Sequence, residues 1–206
     1  MTLSRNSLAS ALPLSRSFGW LALSSLALLA CGQPEAEEVA PEGFPEPIAT
    51  TPADGEFTAQ AVDPAVLAKF RAELLVAVNK ARAVARTCGT TKYPAVPALT
   101  AATKLDTAAQ AHATDMVTKN FFSHTGSDGS QPWDRMTRAG YSWSAAGENI
   151  AAGNSTVAAT MDQWLKSAGH CANIMGKNFT QIGFGYNYSA TATYRHYWVQ
   201  NFAKPR

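Results

Sequence analysis

An apolar run that ends in a cysteine sets the terms on which this chain can fold. Residues 17–30, SFGWLALSSLALLA, carry no charge and are preceded by Arg5 and Arg16. The run is too short to cross a bilayer comfortably and has the shape of an export-signal core. It closes on Leu-Leu-Ala-Cys, the pattern of a bacterial lipoprotein box, which would make Cys31 the lipid-bearing first residue of the mature protein. Gly32 follows in place of Asp, so inner-membrane retention is not signalled. An ordinary signal peptide cleaved nearby is the alternative reading. Either way, whatever folds must lie beyond residue 31, and it must fold in an oxidising compartment.

Residues 32–63 are rich in Pro, Glu and Ala, with eight acidic residues and no Lys or Arg. Such a segment buries too little apolar surface to offset its chain entropy, so it reads as a disordered tether. Residues 64–206 hold fifteen basic and seven acidic residues, a net charge of +8 with histidines neutral. The near-neutral whole therefore combines an acidic stalk with a basic domain. The charge division gives three segments: a signal peptide over 1–30, a tether over 31–63 and one folded domain over 64–206. The basic excess serves solubility or attraction to an anionic envelope surface. No Lys/Arg cluster with interleaved aromatics occurs, and export argues against a nucleic-acid partner.

Within the domain, residues 63–87 read as a helix. Asp63 is placed to cap it, Pro64 sits in its first turn, and Val66, Leu67, Phe70, Leu74, Leu75 and Val78 recur at helical spacing. Residues 88–99 read as a loop and 100–120 as a second helix, with His112 on its apolar stripe as a structural histidine. A glycine-rich turn leads to a short helix with Ser130 as the expected cap. Residues 144–154, SAAGENIAAGN, read as a glycine-bounded loop, and a further helix starts at Ser155 or Thr156. Residues 180–190 and 194–203 alternate and are aromatic, as paired strands do. Helices first and strands last favour an α+β fold, with an antiparallel sheet covered by helices.

With Cys31 set aside for lipid, Cys88 and Cys171 remain. In an oxidising compartment they are expected to pair; the alternative is a free thiol at Cys171 activated by the adjacent His170. His124, Glu148 and His170 stand out as chemistry-bearing side chains, each flanked by glycine or a small residue. Two imidazoles and a carboxylate can ligate zinc, act as acid and base, or simply hydrogen-bond one another.

The stretches VNKARA, LDTAAQAHATDM, FFSHTGSDG, RMTRAGY, AGENIAAG, WLKSAGHCANIM, FTQIGFGY and YWVQNF, in that order, resemble the CAP superfamily (SCP domains; cysteine-rich secretory, antigen 5 and pathogenesis-related proteins), in its secreted bacterial branch. The resemblance spans residues 65–203. It implies a three-layer α-β-α sandwich around a mainly antiparallel sheet, and a cleft lined by two histidines and two acids. His124 and His170 match the histidines and Glu148 matches the acid of the GEN motif. The second acid position is occupied by Ser167, which weakens both a two-carboxylate mechanism and a full zinc ligand set. The resemblance also implies that His170 faces the cleft while Cys171 turns back toward Cys88.

The first functional expectation is a binding module for a small ligand, an envelope lipid or a divalent ion. The second is a hydrolase using the same cleft, with Glu148 as base and a metal or water held by histidine; Ser123 and Ser167 lack the context of a nucleophile. The third is a structural envelope lipoprotein. No cofactor is required for folding, though His124 and His170 can hold an ion such as zinc weakly. The expected protein is a monomer, exported, and attached to membrane through its N-terminal lipid or released outside the cell.

Overall fold

The computed structural model describes residues 61–206. The signal segment, the lipid site at Cys31 and nearly all of the tether lie outside the described residues.

The first helix, α1 (Pro64–Arg82), begins as its sequence dictates: Pro64 takes an N-terminal position and the Ala65 amide donates to Asp63 Oδ1 at 2.7 Å. Its buried stripe is Phe70, Leu74, Val78 and Ala81. The helix stops five residues short of the expected end because the Arg82 carbonyl accepts the amide of Val96 instead of continuing the helical ladder. The buried Arg82 guanidinium donates to the carbonyls of Pro97, Ile174 and Gly176, at 2.8, 2.6 and 3.0 Å. The segment read as a loop holds a small antiparallel hairpin, β1 (Arg86–Cys88) and β2 (Thr91–Tyr93). Gly89, at its turn, has φ +59°, and a β-carbon there would lie 2.8 Å from that of Ala168.

Thr100 and Ala101 form β3, not the start of a helix, because the amides of Thr100 and Ala102 pair with the carbonyls of Thr180 and Ile182. Helix α2 (Thr103–Thr118) follows, then α3 (Pro132–Arg138), β4 (Trp143–Ala152), α4 (Val157–Lys166), α5 (Ala168–Ile174), β5 (Gln181–Tyr188) and β6 (His196–Pro205). Gln131, not Ser130, caps α3, through a reciprocal box with Asp134. The stretch expected as a loop around Glu148 is the ten-residue strand β4. It is paired along its length with β6, and both of its faces are covered around residues 148–151, so no polar–apolar alternation marks it.

The main sheet runs β3-β5-β6-β4, antiparallel except for β3 against β5. On one face, Phe184, Trp198 and Phe202 join α1, α4 and α5 in one core. On the other, Ile150, Tyr197 and Val199 meet α2, and Ala203 meets α2 and α3. Helix α2 lies directly on β5: a β-carbon at Gly183 or Gly185 would fall 2.3 Å from the helix backbone. The result is an α+β fold with the expected α-β-α layering. Cys88 and Cys171 form a disulfide with their α-carbons 5.4 Å apart, tying the hairpin to α5.

Candidate functional site

The three candidate residues gather at the edge of the sheet carried by β4. Strand alternation places Glu148 beside Asn201 of β6, on the α2 face. Its side chain is only 1% exposed, so its charge must be answered within the protein. Oε2 accepts Arg135 Nη2 at 2.8 Å and Oε1 accepts His124 Nδ1 at 2.8 Å. With its amide oriented to suit both neighbours, Asn201 donates to Oε2 at 3.2 Å and accepts from the Ala109 amide. Arg135 is itself buried; its guanidinium also reaches the carbonyls of Ser130 at 2.8 Å and His124 at 3.0 Å. One ion pair thus neutralises the carboxylate and holds the loop that presents His124.

His124 is 49% exposed although its Nδ1–H is anchored to a buried carboxylate. In the neutral ring this bond fixes the tautomer, with Nδ1 donating to Glu148 and Nε2 left bare on the far side of the ring. A histidine anchored through one nitrogen so that the other can ligate or accept a proton is the usual outer-sphere arrangement of a metal-binding imidazole.

His170 arrives from the opposite layer, around the sheet edge. Helix α4 ends at Ser167, whose extended backbone turns the chain into α5 three residues before His170. Two asparagines hold α5 to the strand. Asn149 Nδ2 donates to the His170 carbonyl at 3.1 Å; Asn173 Nδ2 donates to the Glu148 carbonyl at 3.2 Å and to Asn149 Oδ1 at 2.8 Å. Nδ1 of His170 is buried without a partner, so of its two ring nitrogens only Nε2 could meet a ligand. Burial, and then the neighbouring imidazole of His124, push His170 below the ordinary histidine range. His124, Glu148 and His170 therefore occupy one neighbourhood, although 46 residues of chain separate the two histidines.

Glu148 sits in a strand, not a loop, and both of its oxygens are engaged. That geometry disfavours the general-base role and makes it a positioning group for His124. Ser167 is half-buried and adds no charge. Among the described residues, no three His, Cys, Asp or Glu side chains form a ligand set. An ion bound at the two imidazoles would complete its shell with water or a ligand. Cys171 is committed to its disulfide, which removes the free-thiol alternative.

Arg135, Asn149, Asn173 and Asn201 were not singled out by the sequence reading. Arg135 carries no sequence signal that sets it apart from Arg138; its place on the buried side of α3, with Pro132 and Met136, comes from packing. His112 is fully buried, and its Nε2–H donates to the Ser123 carbonyl at 2.8 Å, bracing the loop from behind. A separate cavity of about 330 Å³ shares Arg135 with the cleft and is lined also by His112, Asp115, Ser127 and Asp128. Its two carboxylates are taken up by loop contacts: Asp115 by the Ser127 amide and hydroxyl, Asp128 by the Ser130 amide and Arg138. These contacts make the cavity wall a scaffold for the loop that presents His124.

Residues 75–202 match the cysteine-rich secretory protein family, CAP. Among curated proteins, an uncharacterized protein YkwD of Bacillus subtilis is 40% identical over 98 residues, covering 48% of this chain and 36% of the relative. The uncharacterized membrane protein YlbC of the same organism is 32% identical over 93 residues, 45% of this chain and 25% of the relative. The match therefore spans about a third of the first relative's length and a quarter of the second's. Among solved structures, an extracellular SCP-domain protein from Bacillus anthracis superposes with a TM-score of 0.56 at 26% identity, over 69% of this chain and 44% of that one. An outer surface protein from Borrelia burgdorferi shares the fold, with a TM-score of 0.57 at 17% identity, over 72% and 99% of the two chains. The chain belongs to the CAP (cysteine-rich secretory protein) family.

Proposed function

We propose that this protein is an exported binding module whose cleft takes a small ligand or a divalent ion through the Nε2 atoms of His124 and His170. The observation that carries this reading is the His124–Glu148–Arg135 chain: a buried ion pair holds one imidazole in a fixed tautomer with its other nitrogen exposed. Such preorganisation favours capture of a ligand that can replace water at the two nitrogens. The lipobox at Cys31, together with the extracellular setting stated for the Bacillus anthracis relative, supports placement at the cell envelope. Hydrolysis through the same cleft would need His124, not Glu148, as the base, because the carboxylate oxygens are already bonded.

Calorimetric titration of zinc into the purified protein tests the cleft. His124→Ala and His170→Ala should each weaken binding, and both together should abolish it; equal affinity in wild type and double variant would refute the reading. Cys31→Ser, washed in high salt so that surface charge does not hold the domain, should shift the protein from the membrane toward the soluble fraction; wild type and variant that are both soluble would refute the anchor.

A further inference from the structure

Two exposed aromatic side chains stand beside the cleft and take no part in it. Phe122 is 41% exposed and Tyr194 46%, yet their rings touch, with centroids 5.7 Å apart. They come from different loops, one leaving α2 and the other joining β5 to β6. Asn120 ties the loops together: its Oδ1 accepts the Thr193 amide at 2.8 Å and lies 3.5 Å from the Tyr197 hydroxyl. Asn120 (φ 49°) and Arg195 (φ 61°) are the two non-glycine left-handed residues among those described; Asn120 lies two residues before Phe122 and Arg195 directly follows Tyr194. Asn takes that backbone readily, whereas it costs Arg195 about 1–2 kcal/mol, so the surrounding contacts must hold the second loop in place.

Along the chain, the charges flanking the pair are one-sided. Lys119 and Arg195 are exposed, and neither has an ion-pair partner among the described residues. No Asp or Glu occurs from residue 116 to 127, or from 163 to 206. The nearest carboxylate in sequence, Asp115, is turned to Ser127. His124 follows Phe122 by two residues, so the cleft opens within about 7 Å of this patch along the chain.

An exposed Phe–Tyr pair flanked by unpaired Lys and Arg has the composition of an interfacial membrane contact: rings settle among headgroups while cations meet anionic phosphates. We propose that Phe122, Tyr194, Lys119 and Arg195 form a face that docks the domain onto an anionic phospholipid surface, independently of any lipid on Cys31. The domain's net charge of +8 steers it the same way. The ring planes meet at 60°, so they offer no single flat face on which a sugar ring could stack.

The test uses the full chain with Cys31→Ser, so that no acyl chain contributes to binding. It is floated with vesicles of phosphatidylglycerol and phosphatidylcholine, and with phosphatidylcholine alone. Binding through the apolar segment 17–30 is common to every variant and cancels in the comparison. The anionic vesicles should bind more tightly, and salt should erode the difference. Phe122→Ser with Tyr194→Ser should weaken anionic binding at least about tenfold. Lys119→Gln with Arg195→Asn should weaken it about thirtyfold, with Asn suited to the left-handed backbone at 195. Circular dichroism checks that both variants are folded. Unchanged anionic binding in both variants would overturn the proposal. So would patch-dependent binding to isolated envelope glycan in place of vesicles.

Discussion

Arg135→Met is the substitution that most sharply probes the cleft. Glu148 is 1% exposed and Arg135 5%, and 2.8 Å separates their charged atoms. Removing one partner of a buried pair leaves the other charge without compensation, at a cost of about 3–5 kcal/mol. The lost guanidinium also releases the carbonyls of Ser130 and His124, so the damage should fall in the upper part of that range. Met keeps much of the volume and the apolar stem, which isolates the electrostatic effect. Urea unfolding at neutral pH measures it. The same assay on Glu148→Gln and on the double variant closes a thermodynamic cycle. Once the carboxylate is gone, Arg135→Met should cost at least ~1.5 kcal/mol less than it does in the wild-type background. A single-variant loss below about 1 kcal/mol, or strict additivity in the cycle, would refute the view that this ion pair organises the cleft.

Breaking the disulfide by Cys171→Ala with Cys88→Ala should cost about 4–5 kcal/mol by the chain-entropy argument for an 83-residue separation, read as a lower urea midpoint. Acid should weaken the fold through two histidines. Burial is the leading cause holding His170 and His112 below the ordinary range, so each is neutral in the fold while the unfolded chain takes up a proton. Their contribution is present above about pH 6.5 and is lost as pH falls through their lower folded values. The thermal midpoint should therefore drop between about pH 7 and 5, less steeply in His170→Gln; a flat profile in that window would contradict the assignment. Ser167→Glu, which places a carboxylate three residues before His170, should tighten zinc binding about tenfold, measured by calorimetry; weaker binding would mean that residue 167 does not face the ion.

Residues whose role is encoded by spacing or by a local motif were legible in the sequence. Asp63, Pro64 and the Phe70–Leu74–Val78 stripe specify α1 without tertiary help. His124, Glu148 and His170 could be named because motif residues surround them. Long-range pairing was not legible. Strand β4 looked like a loop because alanines, Glu148 and Asn149 give no contrast between its two covered faces. Thr100 and Ala101 join the sheet only because Thr180 and Ile182 offer carbonyls from a distant segment. Arg135 and Arg138 look alike in RMTRAGY, yet one is buried against Glu148 and the other pairs with Asp128 at the surface. Only the packing of α3 distinguishes them.

Nitrogen NMR of the imidazole rings, with and without zinc, tests the central claim most directly. His124 should show the tautomer protonated at Nδ1 and bare at Nε2, held by Glu148, and zinc should shift Nε2 of both His124 and His170 while the backbone spectrum stays nearly unchanged. A His124 ring protonated at Nε2, or zinc shifts that involve neither histidine, would contradict the account.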